Sequence, residues 1–321
     1  MRTHDVRNPK TSKHTMYHVP VMLQECLEGL AVRPDGVYVD VTFGGGGHSR
    51  AILERLGTKG RLFGFDQDAD AERHWREGES ATADGRFTFV RSNFRYLQNW
   101  MRYYGVEHVD GLLADLGVSS HHLDEAERGF AFRYDAPLDM RMNTRGGRSA
   151  AQLVATATEQ ELARTLQLYG ELRQARRMAQ AIVRARSGRP IATTGDLVAA
   201  VQPLVNPRQE KKELAQVFQA LRIEVNHEMQ ALEEMLGAAA QVLAPGGRLV
   251  VMTYHSLEDR IVKNFIRSGH ADGSVEKDFY GRVLAPLHAV GKVAVATDAE
   301  VERNPRARSA KLRVAERQGH V

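Results

Sequence analysis

Residues 37–57 place a strand, a turn and a helix end to end, and the turn is made of four consecutive glycines. Val37, Val39 and Val41 supply the β-branched residues that suit a buried strand. From Ser49 the apolar spacing of Ala51, Ile52, Leu53 and Leu56 predicts a helix, with Gly57 as its stop. Gly44 to Gly47 carry no Cβ, so a ligand can lie directly against the backbone. The free N–H groups of the helix start then point at that ligand. A chain that opens this way is held to a β-α-β frame with a nucleotide-type cradle at the end of its first strand.

The loop alone leaves the ligand open. It lacks the Gly-x-x-x-x-Gly-Lys-Ser/Thr of a P-loop, which argues against phosphate transfer from ATP. Gly44 and Gly46 start a dinucleotide pattern whose third position is Ser49 instead of glycine. A second strand, Arg61 to Phe65, ends at Asp66, a carboxylate placed to take both hydroxyls of a ribose. NAD enzymes and S-adenosyl-L-methionine (SAM) enzymes share that arrangement. The plainer reading is a tight turn with Asp66 as a helix N-cap. Three later features favour SAM: Asn93 and Phe94 after the third strand (Phe87 to Val90), Asp115 after the fourth (Val109 to Ala114), and the Pro245-Gly246-Gly247 turn before a fifth (Leu249 to Thr253).

Composition narrows the class. At 321 residues, with 42% hydrophobic and 26% charged residues, the chain has the make-up of an ordinary globular protein with room for two domains. No apolar run approaches the roughly 20 residues that span a bilayer. The N-terminus has no apolar core of the signal-peptide kind, so a cytoplasmic protein without membrane contact is expected. Cys26 is the only cysteine, and the 13 histidines show no metal-ligand spacing, so neither an internal disulfide nor a metal is expected. The net charge is only +4, yet Arg173, Arg176, Arg177, Arg184, Arg186 and Arg189 crowd one segment, and Arg303 to Arg313 crowd another. Such local density suits a polyanion, and a solvated helix face is the bland alternative.

Strand and helix alternate from Val37 to Asp115, which predicts a parallel sheet with helices on both faces. The alternation then stops. Helical patterns follow at Ala150 to Val154, Glu159 to Leu168, Arg173 to Arg186 and Thr194 to Val201, the last capped by Thr193 or Thr194. Another runs from Glu228 to Leu243 before the sheet resumes, with segments near Leu287 to Val295 and Lys311 to Ala315 finishing it. The expected fold is α/β and Rossmann-like, a mostly parallel twisted sheet with an inserted helical domain. Residues 1–119 and 223–321 form the core and 120–222 the insert in this reading.

Longer strings are more specific. Asp115-Leu116-Gly117-Val118-Ser119-Ser120, Asp124-Glu125-Ala126-Glu127-Arg128-Gly129-Phe130 and Pro137-Leu138-Asp139-Met140-Arg141-Met142 occur in that order. Phe218 to Asn226, Tyr254-His255-Ser256-Leu257-Glu258-Asp259-Arg260 and Asn304-Pro305-Arg306-Ala307-Arg308-Ser309 follow. Together they resemble the RsmH (MraW) family of bacterial methyltransferases, over nearly the whole chain from about His18 to Glu316. The resemblance implies a SAM-dependent methyltransferase fold with a helical insert. It also implies a substrate, the N4 atom of cytidine 1402 in the 16S rRNA of the small ribosomal subunit. A homodimer is left open.

By family correspondence the SAM contacts fall on Gly46, Gly47, His48, Asp66, Phe94 and Asp115, with Gly44 added from the loop reading. The family also has a glutamine contact where this chain carries His122, which keeps one hydrogen bond but not amide geometry. Before Phe218, where many members read Pro-Ala-Thr-Arg-Thr, this chain reads Glu213-Leu214-Ala215-Gln216-Val217 and loses an arginine.

For the chemistry, N4 becomes cationic as its bond to the methyl forms, so an acceptor beside it is wanted. Asp115, Asp139 and Asp259 are the candidate carboxylates, and His255 is a candidate to bind the base or take the proton. Each has a structural alternative. Asp139 can pair with Arg141 or Arg128, Ser256 can cap the helix that follows, and Asp259 can be a first-turn residue. Phe130, Phe132 and Tyr134 are either a wall for an unstacked base or core. Arg141, Arg260, Arg306, Arg308 and Lys311 are the candidate RNA contacts. The rivals are a SAM-binding ribosome-assembly module without catalysis, an amino-methyltransferase acting on DNA, and an NAD dehydrogenase. The Asp-Pro-Pro-Tyr type of string that marks the DNA enzymes is absent after the fourth strand.

Overall fold

The computed structural model describes residues 20–77, 85–119 and 123–319. Helix α1 (Leu23–Leu30) precedes the glycine loop, and the alternation then unfolds as expected. It comprises β1 (Val37–Asp40), α2 (Gly47–Arg55), β2 (Arg61–Asp66), α3 (Ala69–Glu77), β3 (Phe87–Arg91), α4 (Leu97–Tyr103) and β4 (Val109–Asp115). Five helices follow: α5 (Ala150–Thr156), α6 (Glu159–Leu168), α7 (Ala175–Gly188), α8 (Thr194–Val201) and α9 (Glu210–Asn226). The chain then returns through α10 (Glu228–Val242), β5 (Leu243–Thr253) and α11 (Ser256–Ser268). Two short strands, β6 (Leu287–Ala289) and β7 (Ala294–Val295), helix α12 (Asp298–Arg303) and strand β8 (Lys311–Arg317) complete it.

The sheet order is β3-β2-β1-β4-β5-β8-β6, with β7 also paired to β8. The first five strands are parallel, while β8 runs antiparallel to β5, β6 and β7. Strand residues alternate between two buried faces. Val39, Phe63, Phe65, Leu112 and Val251 face one side, where α4, α10 and α11 pack. Tyr38, Leu62, Leu113, Val250 and Met252 face the other, covered by α1, α2 and α3. Each fully buried large side chain of this kind contributes about 1.5–3 kcal/mol. The Pro245-Gly246-Gly247 turn is a bulge within β5, since the register to β4 jumps from Val109↔Leu243 to Gly111↔Arg248.

Helices α5 to α9 share a separate buried cluster built on Leu138, Leu153, Leu166, Met178, Leu197 and Phe218. Capping boxes start three of them: Ser149 with Gln152, Thr158 with Glu161, and Thr193 with Asp196. Thr193 is therefore the cap, and Thr194 turns inward to donate to the Tyr134 carbonyl. The sequence boundary at residue 222 falls inside α9, which continues unbroken to Asn226. His227, at a left-handed φ of 51°, then turns the chain into α10.

Candidate active site

The glycine loop is anchored from both sides. Phe43 N donates to Phe65 O and Val41 N to Leu113 O, which fixes the loop above β2 and β4. Helix α2 begins at Gly47, two residues earlier than the apolar spacing suggested, with Gly46 as its N-cap at φ 74°. A Cβ on Gly46 would lie 2.6 Å from the Phe43 ring, so both its conformation and its surroundings require glycine. At the end of β2, Asp66 accepts from Gly44 N (2.9 Å) and from Asp68 N (2.8 Å). The helix-capping carboxylate is Asp68, which accepts from Asp70 N, so Asp66 is not the N-cap of the plainer reading.

Asp115 closes the other side. Its backbone N donates to Thr42 Oγ1 at 2.6 Å, tying β4 to the loop. The Tyr254 hydroxyl, arriving from the end of β5, donates to Asp115 Oδ1 at 2.7 Å. His48 sits in the first turn of α2 with Nε2 3.1 Å from the Val21 carbonyl and Nδ1 3.8 Å from Asp115 Oδ2. A carbonyl only accepts, so Nε2 carries a proton and donates it to Val21 O. Burial pushes the Asp115 carboxyl up to about 6, against the opposing pull of His48 and Tyr254. Asp40, one strand away and fully buried, is likewise raised by burial while it accepts from Ser49 Oγ at 2.7 Å.

A small cavity of about 40 Å³ opens at the carboxyl edge of the sheet, between the strand ends and the start of α10. Thr42, Gln67, Asn93, Phe94 and Gly117 line it from the sheet, and Met142 and Asn226 from the helical side. Asn93 caps the 3-10 turn Phe94–Tyr96 and donates to Gln67 Oε1 at 3.1 Å, while Gln67 Nε2 reaches Met142 Sδ at 3.3 Å. The Phe94 ring, the Asn93 and Gln67 amides and the nearby Asp66 carboxylate are the groups available here to hold the nucleoside of SAM. The Cβ-free loop beside Asp115 fits its charged methionine end. Among the described residues no cluster of three His, Cys, Asp or Glu is arranged to hold a metal.

The motif loops meet around this cleft. Gly129 (φ 70°) packs so closely that a Cβ would lie 2.3 Å from Pro137 O, which explains why the two strings belong together. Arg128 joins the core to them: Nη1 donates to Asp68 Oδ2 at 2.9 Å and Nη2 to the Arg141 carbonyl at 2.9 Å. Asn226 finishes the seam, accepting from Met142 N and donating to Met140 O, both at 2.7 Å.

Of the other candidate catalytic groups, three are engaged elsewhere. Asp139 takes a two-pronged contact from Arg141 at 2.7 and 2.8 Å, and those bonds outweigh burial to hold its carboxyl low. Asp259 is bound by Arg313 (2.8 Å) and Lys311 (3.2 Å) and is lowered by them in the same way. His255, not Ser256, is the N-cap of α11: Nδ1 accepts from Glu258 N, and Nε2 lies 3.1 Å from Glu258 Oε1. Both ring nitrogens therefore face Glu258 of the same helix turn. Phe130 is buried in the helical cluster and Phe132 packs on Phe218, so both are core, while Tyr134 is partly exposed under Arg133. His122 lies outside the described residues.

The candidate RNA contacts are mostly spoken for. Arg141 is held by Asp139, Arg260 by Glu171, Arg306 by Asp124 and Lys311 by Asp259, leaving Arg308 exposed. Sequence reasoning passed over Tyr254 as the partner of Asp115. It also passed over the buried Arg222–Glu228 pair (2.8 and 2.9 Å) and Glu258 beneath His255. Glu258 is held low because His255 and Tyr254 N outweigh its burial. Arg222, Tyr254 and Glu258 lie in the quoted strings, while Glu228 falls two residues past the end of one and carried no such signal.

Comparison with known proteins fits this geometry. The MraW methylase family matches residues 15–318. A Parabacteroides distasonis protein named ribosomal RNA small subunit methyltransferase H is 62% identical over 95% of this chain and 99% of its own length. A Porphyromonas gingivalis protein of the same name is 57% identical over 95% of this chain and 98% of its own. Among solved structures, an rRNA methylase from Streptococcus thermophilus aligns over 93% of this chain and 95% of its own, with 11% identity and a TM-score of 0.41. With the family pattern running through the glycine loop, Asp115 and the Tyr254 edge alike, the chain belongs to the MraW methylase family.

Proposed function

We propose that this protein transfers a methyl group from SAM to the N4 amine of a cytidine in 16S rRNA of the small ribosomal subunit. The position is cytidine 1402, and the reaction takes place in the cytoplasm. Family membership and the names of its relatives support the cofactor and the rRNA substrate. The observation that carries the choice of an amine is the state of Asp115. Tyr254 fills Oδ1, whereas Oδ2 has His48 only at 3.8 Å, beyond hydrogen-bond reach. One carboxylate oxygen at the carboxyl edge of β4 thus keeps its capacity for an N–H donor.

SAM supplies an electrophilic methyl group, so the protein's work is alignment and charge. The base must leave its stack to reach the cleft. Asp115 Oδ2 accepts an N4–H, orients the amine and stabilises the positive charge that grows on nitrogen. Tyr254 fixes the rotamer of that carboxylate, and His255 with Glu258 holds the segment that carries Tyr254.

The test incubates the protein with methyl-labelled SAM and small subunits lacking the modification, then digests the RNA to nucleosides. Labelled N4-methylcytidine that disappears with Asp115→Ala is expected. Label in another nucleoside, or none while SAM still binds, would overturn the assignment.

A further inference from the structure

The arginines of the helical insert divide sharply. From Leu172 to Gly195 the sequence holds six arginines and no acidic residue. Three have structural duties: Arg186 donates to the Val154 and Ala157 carbonyls, Arg189 pairs with Asp196, and Arg177 donates to Gln174. Arg173, Arg176 and Arg184 are exposed and make no hydrogen bond or ion pair with any described residue. Arg176 and Arg184 lie eight residues apart on α7, which is about 12 Å along one helix face. Arg173 extends that face beyond the helix start.

Helix stability does not explain them. The first turn of α7 carries Arg176 and Arg177 with no acidic residue, and Gln174 makes no side-chain cap bond. Cations there oppose the positive end of the helix dipole. The buried face of α7 uses Ala175, Met178, Ala179 and Ile182, so the guanidiniums contribute nothing to packing.

Their location matters as much as their charge. Two residues before Arg173, Glu171 stands at φ 51° and reaches the first turn of α11. Its Oε2 accepts from Ser256 Oγ at 2.9 Å and its Oε1 from Arg260 at 3.3 Å. Ser256 follows Tyr254 and His255, so the arginine face starts at the catalytic edge and leads away from it.

We propose that Arg173, Arg176 and Arg184 form the track that binds the phosphate backbone of the RNA flanking the target nucleotide. Guanidiniums without internal partners lose nothing when they meet phosphate, whereas Arg141, Arg260, Arg306 and Lys311 would first have to leave a carboxylate. The proposal rests on the RNA substrate proposed above and assigns it a surface.

The test compares Arg173→Ala/Arg176→Ala/Arg184→Ala with a control of equal charge loss, Lys59→Ala/Arg102→Ala/Lys292→Ala, at exposed sites elsewhere. Binding to 16S rRNA is titrated across a salt series, beside SAM calorimetry and thermal unfolding. The α7 variant is expected to bind rRNA on the order of 10-fold more weakly, with the log–log salt slope reduced by about 2. Its SAM affinity stays unchanged and its melting temperature is unchanged or raised. Equal losses in both variants, or none in the α7 variant, would overturn the track. Wild-type protein that binds rRNA but labels a different nucleoside leaves the track standing and overturns only the choice of target atom.

Discussion

The carboxyl edge of the sheet and the exposed face of α7 handle charge in opposite ways. At the edge every charged group has a partner: Asp115 with Tyr254, Glu258 with His255, Arg222 with Glu228. Water is largely excluded there, so an unpaired charge would be costly and its protonation would shift. Along α7 and just before it, Arg173, Arg176 and Arg184 are exposed and have no side-chain partner among the described residues, where a lone cation costs little and is free to meet a phosphate.

The strongest way to break the paired side is Glu228→Ala. It removes the two-pronged partner of the Arg222 guanidinium, whose side chain is only 12% exposed, and leaves it the Glu258 charge without that hydrogen-bonded contact. Denaturant unfolding should show a loss of about 3–5 kcal/mol. A loss below about 1 kcal/mol would mean that the pair is solvated like a surface bridge.

Asp115→Asn comes next and acts on two quantities in opposite directions. Methyl transfer should fall by roughly 100-fold or more, since the acceptor charge is gone. Stability should rise. The folded-state pKa, about 6, lies above the ordinary carboxylate value, so folding favours the protonated form. Stability from this group is therefore present at low pH and lost as pH rises through the window up to about 6. At neutral pH the neutral amide should recover up to about 3 kcal/mol of it. A destabilised variant would contradict the burial that raises this group.

The same titration sharpens cofactor binding. SAM is cationic and prefers the ionised carboxylate, so its affinity should weaken as pH falls through about 6. Calorimetry should show a drop of roughly tenfold from about pH 7 to about pH 5, absent in Asp115→Asn. His255→Ala is the smallest change. Losing this N-cap should cost about 1 kcal/mol and leave the shape of the pH–rate profile intact. If a limb of that profile disappeared, His255 would be a proton acceptor after all.

Much of the fold was legible because it is local. The glycine loop, the strand ends at Asp66 and Asp115, and helices such as Glu159–Leu168 and Thr194–Val201 are set by periodicity, caps and breakers over a few residues. Helix α1 was missed, and so was the full length of α9. Neither start carries a capping signal, since Met22 and Gln209 make no side-chain cap bond, whereas Thr193 opens Thr194–Val201, as short as α1, with a capping box. The positions of the glycine loop and of the strand-end carboxylates Asp66 and Asp115 were equally legible, since both occupy fixed places in this sheet. The duties of Asp139, His255 and Asp259 were not, because each depends on a partner that the sequence names without pairing: Arg141, Glu258 and Arg313.

The sequence by itself determined the order of strands and helices, the cradle at Gly44 to Gly47, and the family, because those depend on backbone preferences and on residues read consecutively. Only the tertiary structure decided which charges are spent. Asp259 and Arg313 are 54 residues apart and Asp124 and Arg306 are 182 apart, yet each pair meets, while the side chains of Arg173, Arg176 and Arg184 meet no polar partner among the described residues. Coulomb energy depends on distance through space and on the medium between the groups, and neither quantity exists until the chain has folded.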